Sequence, residues 1–137
     1  MRVTARGGLV LALGLWLAGV AAGQEALSKR DGSGPVVVTV TLLERPVAGA
    51  SIKAKVALDT HSVGLDGLKF EEAVAVRVPD GTEVSATTVE RATGGGHHRE
   101  AVLIFPAPSQ TGALTIVVKN VGGIAERTFS WEVPPAR

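Results

Sequence analysis

The three histidines of the chain lie in two short segments that also hold other polar residues. His61 belongs to the run Leu-Asp-Thr-His-Ser at 58–62, whereas His97 and His98 follow three glycines. Imidazoles combined with a carboxylate suit copper(II), nickel or zinc. The sequence therefore predicts a candidate divalent-metal site, with copper among the metals that fit, formed by His61, His97, His98, Asp59 and Asp66.

A structural role accounts for the same residues, and both interpretations stay open at this point. Neighbouring residues on extended backbone point to opposite sides, so His97 and His98 can bind one ion together only where the chain curls. The side chains of Asp59, Thr60 and Ser62 can instead hydrogen-bond the backbone of a tight turn. In that case the histidines brace loops and hold no metal.

Catalysis is not expected from these residues, and we predict that the protein is not an enzyme. Asp59, His61 and Ser62 have the residue types of a catalytic triad, but no G-x-S-x-G elbow accompanies them. Glu71 and Glu72 are sequence neighbours, which is typical of a solvated loop. The glycine runs lack the Lys-Ser/Thr that a phosphate-binding loop requires.

Length and composition narrow the class of protein further. A chain of 137 residues allows one ordinary domain. With 14 Lys and Arg against 13 Asp and Glu, it has no excess positive charge for phosphate contacts, so we expect no nucleic-acid partner. The chain has no cysteine, which excludes disulfides, zinc fingers and thiol catalysis.

The first residues are typical of a signal peptide that is cleaved after export. Arg2 and Arg6 precede an apolar run at 9–17, and small residues follow up to Gly23. We therefore predict a signal peptide at 1–23, an exported protein that is periplasmic or secreted, and no membrane association after cleavage. The polar, glycine-containing stretch 24–34 is predicted to be a flexible linker.

From residue 35 to residue 134 the pattern is that of an all-β domain. Seven short, mostly alternating runs predict a seven-stranded antiparallel sandwich of the immunoglobulin-like or fibronectin type, with a small barrel as the alternative. The predicted strands are 36–42, 51–58, 73–78, 83–90, 101–105, 114–119 and 128–133. The predicted core is Val38, Val40, Ile52, Val56, Val76, Val102, Ile104, Ile116, Val118, Phe129 and Trp131.

Antiparallel strands place alternate loops at the same end of a sandwich. The loops 59–72, 91–100 and 119–127 should therefore lie together, and they contain all three histidines. Loops on a rigid scaffold are a common place for binding groups. We expect any binding site at this end.

The two histidine segments resemble those of a family of exported bacterial proteins. Its members carry an L-[DN]-T-H-S segment followed by a G-G-H-H segment, which correspond here to 58–62 and 95–98. The family has no established function, so the resemblance implies a motif and a β-sandwich but no mechanism.

Taken together, the sequence favours a small exported β-sandwich that acts as a binding or accessory domain. In one interpretation it binds a divalent metal ion through the loop histidines. In the other it is a protein-interaction or structural module of the cell envelope without a metal, and its partner is an envelope protein. The sequence does not constrain the oligomeric state.

Overall fold

The computed structural model describes residues 25–135, so the signal peptide predicted at 1–23 lies outside the described residues. The described part is almost entirely β, with one helical turn. Its elements are β1 (Ser28–Asp31), β2 (Val36–Leu42), β3 (Ile52–Thr60), α1 (Phe70–Ala73), β4 (Val74–Arg77), β5 (Glu83–Ser85), β6 (Thr88–Gly95), β7 (His98–Phe105), β8 (Gly112–Val121) and β9 (Ile124–Val133).

The strands form two antiparallel sheets, which confirms the prediction of an all-β sandwich. One sheet has the order β1-β2-β3-β7-β6 and the other the order β5-β4-β8-β9. Residues 25–135 contain nine strands, so the predicted number of seven was wrong. One additional strand, β1, lies in the predicted linker, and the predicted strand 83–90 is divided between the two sheets as β5 and β6.

Alternation of apolar and polar residues explains the inward faces of β2 and β3. In β2, Val36, Val38, Val40 and Leu42 are buried, while the residues between them are partly exposed. The two strands pair in register along their whole common length, with Val40 opposite Val56. Burial of one face of each strand against the other sheet is the main stabilising contribution to the fold.

The residues of β7 that face the main core differ from the predicted ones. Leu103 and Phe105 belong to the core, whereas Ile104 is only partly buried and Val102 lies outside the core cluster. The run 101–105 is apolar at every position, so its pattern does not reveal which set points inward. The prediction of Ile104 as a core residue was therefore wrong, whereas Val102 is buried as predicted although it lies outside the main core cluster.

Residues 25–35, here called the N-terminal strap, fasten the two sheets to each other. Within the strap, β1 pairs with β2 in the five-stranded sheet. The indole Nε1 of Trp131 on β9 donates a hydrogen bond to the carbonyl of Ala26 at 2.9 Å, and the ammonium of Lys29 lies 5.0 Å from the centre of the Trp131 ring. The flexible linker expected at 24–34 thus contains a folded strand at Ser28–Asp31. The sequence did not indicate this strand, because it is short and polar and therefore has no alternation of apolar residues.

The only helix in residues 25–135 is α1, a single turn. It buries Phe70 and leads directly into β4. No helix in the described part of the chain is long and apolar enough to span a membrane.

Candidate functional site

Three connections meet at one end of the sandwich, here called the loop end. They are the segment 61–69 after β3, the β6–β7 turn and the β8–β9 turn. Two of the three expected loops are shorter than predicted, because Gly95 pairs with His98 and Val121 pairs with Ile124 across two-residue turns. The glycine clusters therefore form hairpin turns.

The β8–β9 turn needs both of its glycines for conformational reasons. Gly122 has φ 61° and Gly123 has φ 75°, the left-handed values of a type I′ hairpin turn. A Cβ atom on Gly122 would also lie 2.8 Å from Cγ2 of Val36. The turn is consequently packed closely against the start of β2.

Asp59 and His98 form an ion pair across β3 and β7. They are register partners, and Asp59 Oδ1 lies 2.5 Å from Nδ1 of His98. This hydrogen bond is the main cause that raises the pKa of His98 above its ordinary value of 6.5, and the Glu100 carboxylate, 3.6 Å from Nε2, acts in the same direction. About half of the His98 side chain is exposed, so water screens the pair.

Thr60 is buried and anchors the beginning of the segment 61–69. Its hydroxyl donates to the carbonyl of Pro35 at 2.8 Å. The same oxygen accepts from the amides of Ser62 and Val63 at 3.3 and 3.4 Å. The threonine of the first motif thus has the turn-bracing role that the structural interpretation assigned to this segment.

The segment 61–69 is attached to the β6–β7 turn by backbone and carboxylate contacts. The Thr60 amide donates to the carbonyl of His97 at 2.9 Å, and the Leu65 amide donates to that of Gly96 at 3.0 Å. Asp66 Oδ1 accepts from the Gly96 amide at 2.8 Å. The two histidine motifs therefore meet, as the strand directions predicted.

Arg99 fixes the far part of the same segment. Its guanidinium donates to the carbonyl of Leu65 at 2.9 Å and also to that of Leu68. It lies 5.2 Å from the centre of the Phe70 ring. One side chain from β7 therefore contacts two backbone carbonyls of the segment and the first residue of α1.

The five predicted metal-binding residues do not converge on one point. Asp59 contacts His98 and Asp66 contacts a backbone amide, while His61 and His97 are exposed. In residues 25–135 no three His, Cys, Asp or Glu side chains are arranged to hold a metal ion. The closest approach to a ligand set is His98 with Asp59 and Glu100 beside its two ring nitrogens.

A groove of about 720 Å³ opens at the loop end between the segment 63–69 and the β8–β9 turn. We call it the end groove. Its apolar lining includes the buried side chains of Leu65 and Val121 together with the partly buried Val63 and Leu68. The rest of the lining consists of glycines, charged side chains and three further residues: Gly64, Gly67, Gly122, Gly123, Lys69, Glu72, Lys119, Pro35, Ala73 and Asn120.

Two arginines that build this end were missed by sequence reasoning. Besides Arg99, the buried Arg127 donates to the carbonyls of Val121, Ser33 and Val36 at 3.0, 2.7 and 3.0 Å. The sequence does not indicate that an arginine donates to backbone carbonyls, because every residue has a carbonyl and the partners share no type of side chain. For Arg99 the only available signal was its position directly after the second motif.

The geometry of the loop end has two parts: a braced set of motif residues and a groove formed beside it. Gly96 of the second motif and the adjacent Arg99 position the segment 63–69, and this segment forms one wall of the groove. No protein-family model, curated protein or solved structure matches the chain.

Proposed function

We propose that the mature chain is an exported protein-interaction domain that binds a segment of a partner protein in the end groove. The observation that carries this proposal is the groove itself. A volume of about 720 Å³ lies in the usual range of roughly 300–1,000 Å³ for binding sites. Its lining combines apolar side chains with polar groups in about equal share, so a partner segment can both bury apolar side chains and form hydrogen bonds there.

An immunoglobulin-like topology supports the proposal at the level of the scaffold. The order β2-β3-β7-β6 corresponds to the order A-B-E-D of immunoglobulin domains, and β4-β8-β9 corresponds to C-F-G. In such domains the connections at one end of the sandwich carry recognition. This is an argument from fold, and the groove supplies the argument from the site.

The bracing of the segment 63–69 also favours binding. A groove wall that is held by Asp66, Arg99 and Thr60 before the partner arrives loses less conformational entropy on binding. The motifs thus serve the groove indirectly, by positioning one of its walls.

A binding measurement with a blocked groove tests the proposal. The probe is an acetylated, amidated hexapeptide of alternating leucine and glutamine, titrated into the mature chain. Gly67→Phe should abolish binding, because a Cβ at Gly67 meets no atom within 4 Å and the new ring can occupy the groove without disturbing the fold. Ser51→Phe, at an exposed position next to the other end of β3, is the matched control and should bind normally.

No binding by the unmodified protein, or equal binding by Gly67→Phe, would contradict the proposal. Melting curves and far-UV circular dichroism of both variants establish that each is folded. The export step is tested separately by the mass of the native protein, which should begin at Gln24.

Divalent-metal binding remains a second candidate because of the surroundings of His98. A carboxylate on Nδ1 is the usual partner of a metal-ligating imidazole, since it fixes the ring for coordination through Nε2. Here Asp59 occupies that position, and Glu100 lies 3.6 Å from Nε2. The same two contacts are also expected for a protonated histidine that forms ion pairs with both carboxylates, and a protonated imidazole cannot bind a metal.

Metal analysis of protein purified from its native envelope without an affinity tag separates these alternatives. If a metal is resident, it should be stoichiometric and absent from His98→Gln. If His98 is only an ion-pair partner, the native protein contains no stoichiometric metal, and the groove proposal is unaffected.

A further inference from the structure

The charged side chains of the end groove are two lysines and one glutamate. Lys69 and Lys119 lie among its lining residues together with Glu72. Lys69 Nζ is 3.2 Å from Glu72, and the two side chains are 63% and 70% exposed. An ion pair with this exposure contributes little to stability, because water screens both charges, so Lys69 can exchange its partner at little cost.

The second lysine is held more firmly. The ammonium of Lys119 contacts the carboxylate of Glu83, which also pairs with Arg77 at 2.8 Å. Arg77 in turn forms a bidentate pair with Glu126. This network fixes Lys119 beside the groove and compensates its charge, and Lys69 is consequently the cation that an incoming group can engage.

Three of the four glycines that line the groove have open space around the position that a Cβ atom would occupy. Four of its lining residues are glycines, two in each wall, at positions 64, 67, 122 and 123. At Gly64, Gly67 and Gly123 a ligand can approach the main chain with no side chain in front of it, whereas Gly122 packs against Val36. An extended polypeptide is the ligand that can exchange hydrogen bonds with this main chain while its side chains contact the apolar lining.

We propose that the occupant of the end groove is an extended, apolar segment of a protein that carries a carboxylate next to its apolar side chains, with Lys69 as the residue that recognises the carboxylate. This inference rests on the protein-interaction function proposed above. It adds the chemical class of the segment and a specificity-determining residue.

The test compares three acetylated, amidated hexapeptides on the mature chain by isothermal titration calorimetry. Leucine alternates with glutamate in the first, with glutamine in the second and with lysine in the third. The glutamate peptide should bind up to about fivefold more tightly than the glutamine peptide, the factor that corresponds to a surface ion pair of about 1 kcal/mol. The lysine peptide should bind most weakly.

Lys69→Gln should remove the preference for glutamate over glutamine while leaving the binding of the glutamine peptide unchanged. Lys53→Gln, at an exposed position on β3, is the matched control and should retain the preference. High salt should reduce the preference in the unmodified protein, because exposed charges are screened.

The outcomes separate the two proposals. Equal binding of the glutamate and glutamine peptides, or a preference that survives in Lys69→Gln, overturns the assignment of Lys69 and leaves the groove as a binding site. Failure of all three peptides to bind overturns the groove proposal and this inference with it.

Discussion

Replacement of Arg99 by methionine should weaken both the fold and the groove. Methionine keeps the apolar stem and a similar length but removes the guanidinium. That group donates hydrogen bonds to the carbonyls of Leu65 and Leu68 and packs on the ring of Phe70. The variant therefore isolates the contribution of the charged head to the position of the segment 61–69.

The expected loss follows from these contacts. A hydrogen bond to a charged group contributes about 1.5–3 kcal/mol, and a cation–π contact at a partly exposed site about 0.5–1 kcal/mol. Since Arg99 is only partly buried, water can replace part of each bond. We therefore expect the free energy of unfolding to fall by about 2–4 kcal/mol, which is less than the summed contributions of about 3.5–7 kcal/mol.

Urea unfolding measures this loss, and hydrogen exchange shows where it acts. The amide of Leu65 donates to Gly96 and that of Leu68 donates to Leu65, so both should exchange faster in Arg99→Met. Arg30→Met, at an exposed position on β1, is the control and should change the stability by less than about 0.5 kcal/mol. A loss below about 1 kcal/mol in Arg99→Met, with unchanged exchange at these two amides, would refute the proposed positioning role.

Further expectations concern the turn, the ion pair and the strap. Gly122→Ala should lower the free energy of unfolding more than Gly123→Ala, because each variant loses about 1–2 kcal/mol in a left-handed conformation but only at Gly122 does the new Cβ lie close to Val36, at 2.8 Å. Equal losses in thermal unfolding would contradict the packing argument. His98→Gln should reduce the stability at pH 5.5 and have little effect at pH 9. The pKa of His98 is raised above 6.5 in the folded state, so its contribution to stability is complete below pH 6.5 and disappears as the pH rises through the folded pKa. Urea titrations at both pH values test this, and a larger loss of stability at pH 9 than at pH 5.5 would contradict it. Trp131→Ala should lower the free energy of unfolding by about 3–5 kcal/mol, since the ring is 2% exposed, and a loss below about 1 kcal/mol would show that it is not a core residue.

The sandwich and the position of the motif segments could be predicted because they depend on local pattern and on strand direction. Alternation in 51–58 identified β3, and antiparallel strands required that 59–72 and 91–100 share one end. The same reasoning failed where the pattern has no alternation. The apolar run 101–105 gave the wrong inward face, and the polar stretch at Ser28–Asp31 gave no strand.

The site could be predicted in part only. The motif residues Asp59 and Thr60, and the nearby Asp66, are engaged at the loop end, but with other protein groups. The end groove could not be foreseen, because its lining comes from Pro35 and from the distant segments 63–73 and 119–123 and includes glycines without side chains. The burial of Arg127 and its hydrogen bonds to backbone carbonyls likewise depend on tertiary packing, which a single sequence does not reveal.

The most direct test of the account is an NMR titration of the isotope-labelled mature chain with the leucine–glutamate hexapeptide. The account predicts that the largest amide shift changes fall in residues 63–69 and 119–123, the two walls of the end groove. Exposed leucine and valine side chains at Leu43 and Val47, next to the opposite end of β2 and β3, provide an internal comparison and should show little change. Shift changes concentrated around Leu43 and Val47, or spread evenly over the sandwich, would contradict the assignment of the loop end as the binding surface.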